Sequence, residues 1–113
     1  MPDNGVTLHK IARIARGNIP PLTEKEFMAQ VVQLAKLRGW LVFHAYDSRR
    51  SAKGFPDLIL VRGPWLLAIE LKVGRGKLTP EQERWLFDLC SVPGVKTFVF
   101  YPKDWPLIEM VLE

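Results

Sequence analysis

Two apolar runs joined by a short turn constrain this chain more than any other feature. Residues 57–61 (DLILV) and 65–72 (WLLAIELK) are rich in Leu, Ile and Val, and Arg62-Gly63-Pro64 stands between them. Apolar runs of this length, punctuated by Gly and Pro, read as a β-hairpin buried inside a sheet. Into this pair the sequence places Asp57, Glu70 and Lys72. With Gly63 and Pro64 at the turn centre, Asp57 falls directly across from Glu70. Glu70 and Lys72 are two residues apart on one strand, so they share a face.

That placement has a chemical consequence. Carboxylates opposed on neighbouring strands repel by up to about 1 kcal/mol even when exposed. Burying them without compensation costs more. A divalent cation between them removes the repulsion, and oxygen-only ligands select a hard ion, magnesium or manganese rather than zinc. Lys72, on the same face, offsets remaining charge and can hold an anionic oxygen or a water. Two carboxylates, a hard cation and a lysine suit phosphodiester hydrolysis, in which the metal polarises the phosphate and acidifies its bound water. The plainer reading of a strand E-x-K is a surface ion pair. What favours chemistry is the combination with an aspartate that follows Pro56 at the head of an apolar strand.

The rest of the chain supplies a scaffold. Thr23, with Glu26 three residues on, forms a capping box, and Phe27, Val31, Leu34 and Leu37 are spaced to make one buried helix face. Gly39 stops that helix. Trp40–Tyr46 reads as a strand, 47–54 as a polar basic loop, and 73–78 as a glycine-rich basic loop. Thr79 caps a second helix with Pro80 at its first position and Trp85, Leu86 and Leu89 facing inward. Val95–Tyr101 reads as a strand, and Asp104 caps a last helix through Leu112. The order α-β-β-β-α-β-α predicts an α/β fold, a mixed β-sheet flanked by helices. Residues 22–113 are expected to form one domain; residues 1–21 form a basic arm or short helix, bounded by Pro20 and Pro21.

A net charge of +4 and a pI near 9.5 favour an anionic partner. Placement says more than the sum. Lys10, Arg13 and Arg16 form one basic cluster, Arg49, Arg50 and Lys53 a second, and Lys72, Arg75 and Lys77 a third. A single cysteine, Cys90, rules out an intrachain disulfide. The opening residues lack the apolar stretch of a secretion signal, and no run is long enough to span a bilayer. These features predict a soluble cytoplasmic protein with no membrane partner.

Pro56-Asp57 followed by Glu70-Leu71-Lys72 matches the PD-(D/E)-x-K signature. The wider sequence resembles the VRR-NUC (virus-type replication-repair nuclease) domain of the restriction-endonuclease-like superfamily, in its stand-alone bacterial and phage form. The resemblance runs from about Leu22 to the C-terminus, through TEKEF at 23–27, GWLVFHAYDSRRS at 39–51, GFPDLILVR at 54–62, ELKVGRGKLTPEQ at 70–82 and the Tyr101–Trp105 stretch. It implies a restriction-endonuclease-like core and a Mg2+- or Mn2+-dependent DNA endonuclease. The implied substrate is branched DNA such as Holliday junctions, cut by a homodimer in DNA repair. Two related sites for two strands is also what symmetry requires of a domain with one site.

The same resemblance implies roles for particular residues. Asp57 and Glu70 would be metal ligands, the Leu71 backbone carbonyl another oxygen, and Lys72 would orient or activate the attacking water. A helix glutamate would complete the acidic set. Glu24 fits best and Glu26 is its rival, while charge complementarity at a helix start also explains Glu24. Gln82 would contact water or phosphate, or be an ordinary exposed helix residue. His44 would line the site or face DNA, or be a hydrogen-bonded core histidine. Ser48, Arg49, Arg50, Lys53, Arg75 and Lys77 would touch the phosphate backbone, or be solvated loop charges. Two readings compete with the nuclease: a non-catalytic DNA-binding module that keeps the fold, and an interaction subunit docked through basic residues 8–16.

Overall fold

The first helix begins where the sequence says it should. Thr23 Oγ1 accepts from the Glu26 N–H at 3.1 Å and Glu26 Oε1 accepts from the Thr23 N–H at 3.0 Å, a reciprocal capping box. In the computed structural model, which describes residues 22–45 and 52–113, this helix is α1 (Glu24–Leu37). Its buried face is Phe27, Val31 and Ala35. Leu34 is half-buried and Leu37 is 64% exposed, against the sequence expectation. At 3.6 residues per turn, Leu37 lies about 120° around the helix from Val31, the centre of the buried row. The expected helix or arm over 1–21 lies outside the described residues.

Four strands follow: β1 (Leu41–His44), β2 (Leu58–Arg62), β3 (Trp65–Leu71) and β4 (Val95–Phe100), in the order β1-β2-β3-β4. The first two pairings are antiparallel and β3 pairs with β4 in parallel, so the sheet is mixed, as expected. A parallel neighbour requires a crossover. Helix α2 (Pro80–Cys90) supplies it and packs against β4. A 3-10 turn (Pro102–Asp104) and helix α3 (Trp105–Leu112) end the chain.

Strand alternation divides the sheet into two faces. Leu58, Leu60, Leu67, Ile69 and Leu71 join Phe27, Val31, Phe100, Ile108 and Leu112 in one core, beneath α1 and α3. The intervening positions, Glu70 among them, belong to the opposite face. Trp40, 6% exposed, locks the core's edge: its Nε1 donates to the Leu112 carbonyl at 3.0 Å, and the Arg62 guanidinium lies 4.3 Å over its ring.

Two element ends differ from the sequence reading. The first strand stops at His44, although the Ala45 N–H still donates to the Asp57 carbonyl at 3.2 Å; Tyr46 lies outside the described residues. Asp104 does not cap α3 with its side chain. Its Oδ2 accepts from the Tyr101 N–H at 2.8 Å instead, closing the 3-10 turn. A side-chain cap bonds the N–H groups at the second or third helical position, and the second here is Pro106, which has none.

Candidate active site

Arg62 pairs with Trp65 and Leu58 with Ile69, so Gly63 and Pro64 are the two loop residues. One further step along that register sets Asp57 opposite Glu70, as the turn placement predicted. Asp57 is fixed by its approach. Gly54 has φ +85, and a Cβ there would lie 2.5 Å from the Glu81 carbonyl carbon, so only glycine lets this loop rest on the start of α2. Phe55 meets Trp85 edge-on at 5.1 Å between ring centres, and Trp85 Nε1 donates to the Lys53 carbonyl at 3.1 Å. Pro56 is fully buried. The aspartate arrives with Oδ2 accepting from the Leu71 N–H at 2.8 Å.

Glu70 is 2% exposed. Its Oε1 accepts from Gln82 Nε2 at 3.0 Å and lies 3.9 Å from Lys72 Nζ. Its Oε2 is buried with no hydrogen-bond partner. Burial, and then the negative charge of Asp57, push the Glu70 pKa up to about 8, against an opposing pull from Lys72. A carboxylate so enclosed is stable as an anion only if a further positive charge arrives. An orphaned oxygen beside a second carboxylate, with no soft donor in the set, fits a hard divalent cation held by Asp57 and Glu70.

A model of the VRR-NUC domain matches residues 12–103. The chain belongs to the VRR-NUC family. A solved structure described as a VRR_NUC domain protein is 25% identical and superposes with a TM-score of 0.62, over 81% of this chain and 87% of that one. No curated protein matches the chain. VRR-NUC membership makes this a nuclease-type, DNA-processing domain, which accords with a paired-carboxylate site on an α/β scaffold.

Within this VRR-NUC domain, Gln82 is more than the exposed helix residue the sequence allowed. Its Oε1 accepts from the Thr79 N–H at 2.9 Å, and its own N–H donates to Thr79 Oγ1 at 3.2 Å, completing a second capping box. With the amide oxygen spent on the helix start, the amide nitrogen is what reaches Glu70. The T-x-x-Q signal was present in the sequence, where only Thr79 was read as a cap.

Other candidates fall elsewhere. Glu24 is exposed in the first turn of α1, and Glu26 is engaged in the capping box. Among the described residues no group of three or more His, Cys, Asp or Glu converges, so the carboxylates brought together are Asp57 and Glu70 without a helix glutamate. His44 pairs with Leu58, which puts it on the core face rather than the face of Glu70. Burial lowers its pKa, and the nearby Asp57 charge opposes that shift. Lys53, Arg75 and Lys77 are exposed on the loops that flank the pair. Ser48, Arg49 and Arg50 lie outside the described residues.

The raised Glu70 pKa sets a pH dependence in the metal-free protein. Unfolded glutamate titrates near 4.3, whereas the folded chain holds its proton up to about pH 8. The stability this proton contributes is full below the unfolded pKa and is lost as pH rises through the folded one. Melting in EDTA is therefore expected to shift downward between pH 5 and pH 9, and Glu70→Gln to remove most of that slope. A melting temperature equally pH-dependent in both proteins would place the titration elsewhere.

Proposed function

We propose that this protein is a Mg2+- or Mn2+-dependent DNA endonuclease that hydrolyses phosphodiester bonds, selectively in branched DNA such as Holliday junctions, and acts as a homodimer in DNA repair. The observation that carries the reading is Glu70, 2% exposed with a partnerless oxygen, set across from Asp57. Asp57 and Glu70 would hold the cation, which would supply Lewis acidity to the phosphate and lower the pKa of water.

The chain's own groups do the rest. The Leu71 N–H holds Asp57 and Gln82 holds Glu70, so both carboxylates are preset. Preset donors avoid reorganisation when charge develops. Lys72, with its side chain 13% exposed, has its ammonium 3.9 Å from Glu70. It orients the attacking water, or holds an anionic phosphate oxygen, and balances the carboxylate charge. The Leu71 carbonyl would be a further oxygen donor for the cation. Glu24 is the candidate for a third carboxylate. Lys53, Arg75 and Lys77, with Ser48, Arg49 and Arg50, contact the DNA backbone and supply affinity without sequence choice. His44, on the core face beside Leu58, lies behind the pair and lines the scaffold rather than the DNA. Residues 22–113 make up the nuclease and residues 1–21 a basic arm or short helix, of which residues 12–21 fall within the matched family span; the site of action is the cytoplasm. No helix among the described residues is long and apolar enough to cross a membrane.

The test is a cleavage panel of four-way junction, flap, single-stranded and duplex DNA with Mg2+, Mn2+ or EDTA. Expected are metal-dependent nicks, fastest on the junction and absent in EDTA. Salt-sensitive binding with no product from any substrate under either metal would leave a non-catalytic DNA-binding module.

A further inference from the structure

We propose that Tyr101 is a positioning residue that latches the glycine-rich loop 73–78 into a clamp for the DNA phosphate backbone. The proposal rests on the DNA-processing reading and adds to it a residue outside the carboxylate–lysine set. The Tyr101 hydroxyl, at the end of β4, donates to the Gly76 carbonyl at 2.6 Å. That is among the shortest separations expected between oxygens.

Both ends of this contact are fixed. Tyr101 is held by its own N–H, which donates to Asp104 Oδ2 at 2.8 Å in the 3-10 turn, and the preceding Phe100 carbonyl accepts from the Lys72 N–H at 2.9 Å. On the loop side, the Gly76 N–H donates to the Val73 carbonyl at 3.0 Å, closing a tight turn. Gly74 takes φ +57 within it, a conformation that suits glycine. The turn lies against the active site: a Cβ at Gly76 would be 3.5 Å from Lys72 Cδ. Arg75 and Lys77 flank Gly76 and are exposed. A loop with two glycines in six residues would otherwise sample many conformations. The Tyr101 bond selects the one that presents both cations beside Lys72, where a scissile strand must pass.

The chemistry of the partner follows. Two exposed cations on a preset turn beside an acidic pair suit the phosphates next to the one being cut, not a base edge. Each such contact releases counterions and contributes about 0.9 to the slope of log affinity against log salt on duplex DNA.

The experiment measures binding of the full chain to junction and duplex DNA in EDTA across a salt series, so no cleavage is involved. Tyr101→Phe keeps the ring and removes the hydroxyl. Expected are a roughly five- to tenfold loss of affinity, a flatter salt slope, and a melting temperature close to the parent's. Arg75→Ala and Lys77→Ala should each flatten the slope by about one, and Arg75→Ala should cost less in the Tyr101→Phe background than alone. Parent-like affinity and slope in Tyr101→Phe, or strict additivity with Arg75→Ala, overturns the latch. Unchanged slopes in both cation variants overturn the clamp, however Tyr101→Phe folds. A parent that binds with a steep salt slope yet cuts nothing would remove the nuclease reading and leave the clamp standing.

Discussion

Asp57→Asn and Lys72→Ala are each expected to slow DNA cleavage by at least about 100-fold, and roughly 1000-fold for Asp57→Asn, the scale of removing one preorganised electrostatic group from a site. The asparagine amide oxygen can still accept from the Leu71 N–H now bonded to Asp57. The substitution therefore removes a charge and a metal ligand while sparing the loop's anchor, and circular dichroism should be parent-like. Lys72 acts differently. Its charge pulls the Glu70 pKa down, so Lys72→Ala leaves the carboxyl more reluctant to ionise and also takes away the ammonium proposed to orient the attacking water. Parent-rate cleavage by either variant would show that the pair is structural.

Gly54→Ala is expected to be the most damaging single methyl in the described chain. Two costs add. A φ of +85 disfavours any side chain, by about 1–2 kcal/mol. The new Cβ would also sit 2.5 Å from backbone atoms of Glu81, which cannot swing aside, and overpacking of this kind costs about 1–3 kcal/mol. Together about 2–5 kcal/mol corresponds to a melting temperature lower by roughly 10–25 °C for a domain of this size. Cleavage should fall as well, because Gly54, Phe55 and Pro56 deliver Asp57. Gly39→Ala is the internal control: φ is +83 but nothing lies within 4 Å of its Cβ. If both alanines melt at the same temperature, the close approach to α2 does not constrain the loop.

The parts of this molecule that the sequence announces are those governed by short periods. The hairpin register follows from a two-residue turn and strict alternation, which is why Asp57 lands across from Glu70 in the structure as it does on paper. The capping box at Thr23 is equally local. What escapes depends on neighbours far along the chain. Ala35 rather than Leu37 is buried because α1 rests on a sheet whose position the helix pattern does not encode. Gln82 reaches Glu70 only because α2 crosses back over β4, so its double bond could not be read from spacing, although its cap could. Gly54 looks like any loop glycine until Glu81 is placed against it. Asp104 precedes the last helix as the cap pattern expects, but its carboxylate turns back to the Tyr101 N–H, a bond set by the 3-10 turn rather than by the helix that follows. The sequence also offered Glu24 as a third carboxylate, and the described residues gather no such group around the pair.

The most direct measurement is calorimetric titration of Mn2+ into the metal-free protein at pH 7, repeated in buffers of different ionisation enthalpy. With its pKa near 8, Glu70 carries its proton in most molecules at that pH, so a cation that takes its place should expel close to one proton per ion bound. Glu70→Gln should bind Mn2+ far more weakly and release none. Tight binding by Glu70→Gln would contradict a cation seated on that buried carboxylate.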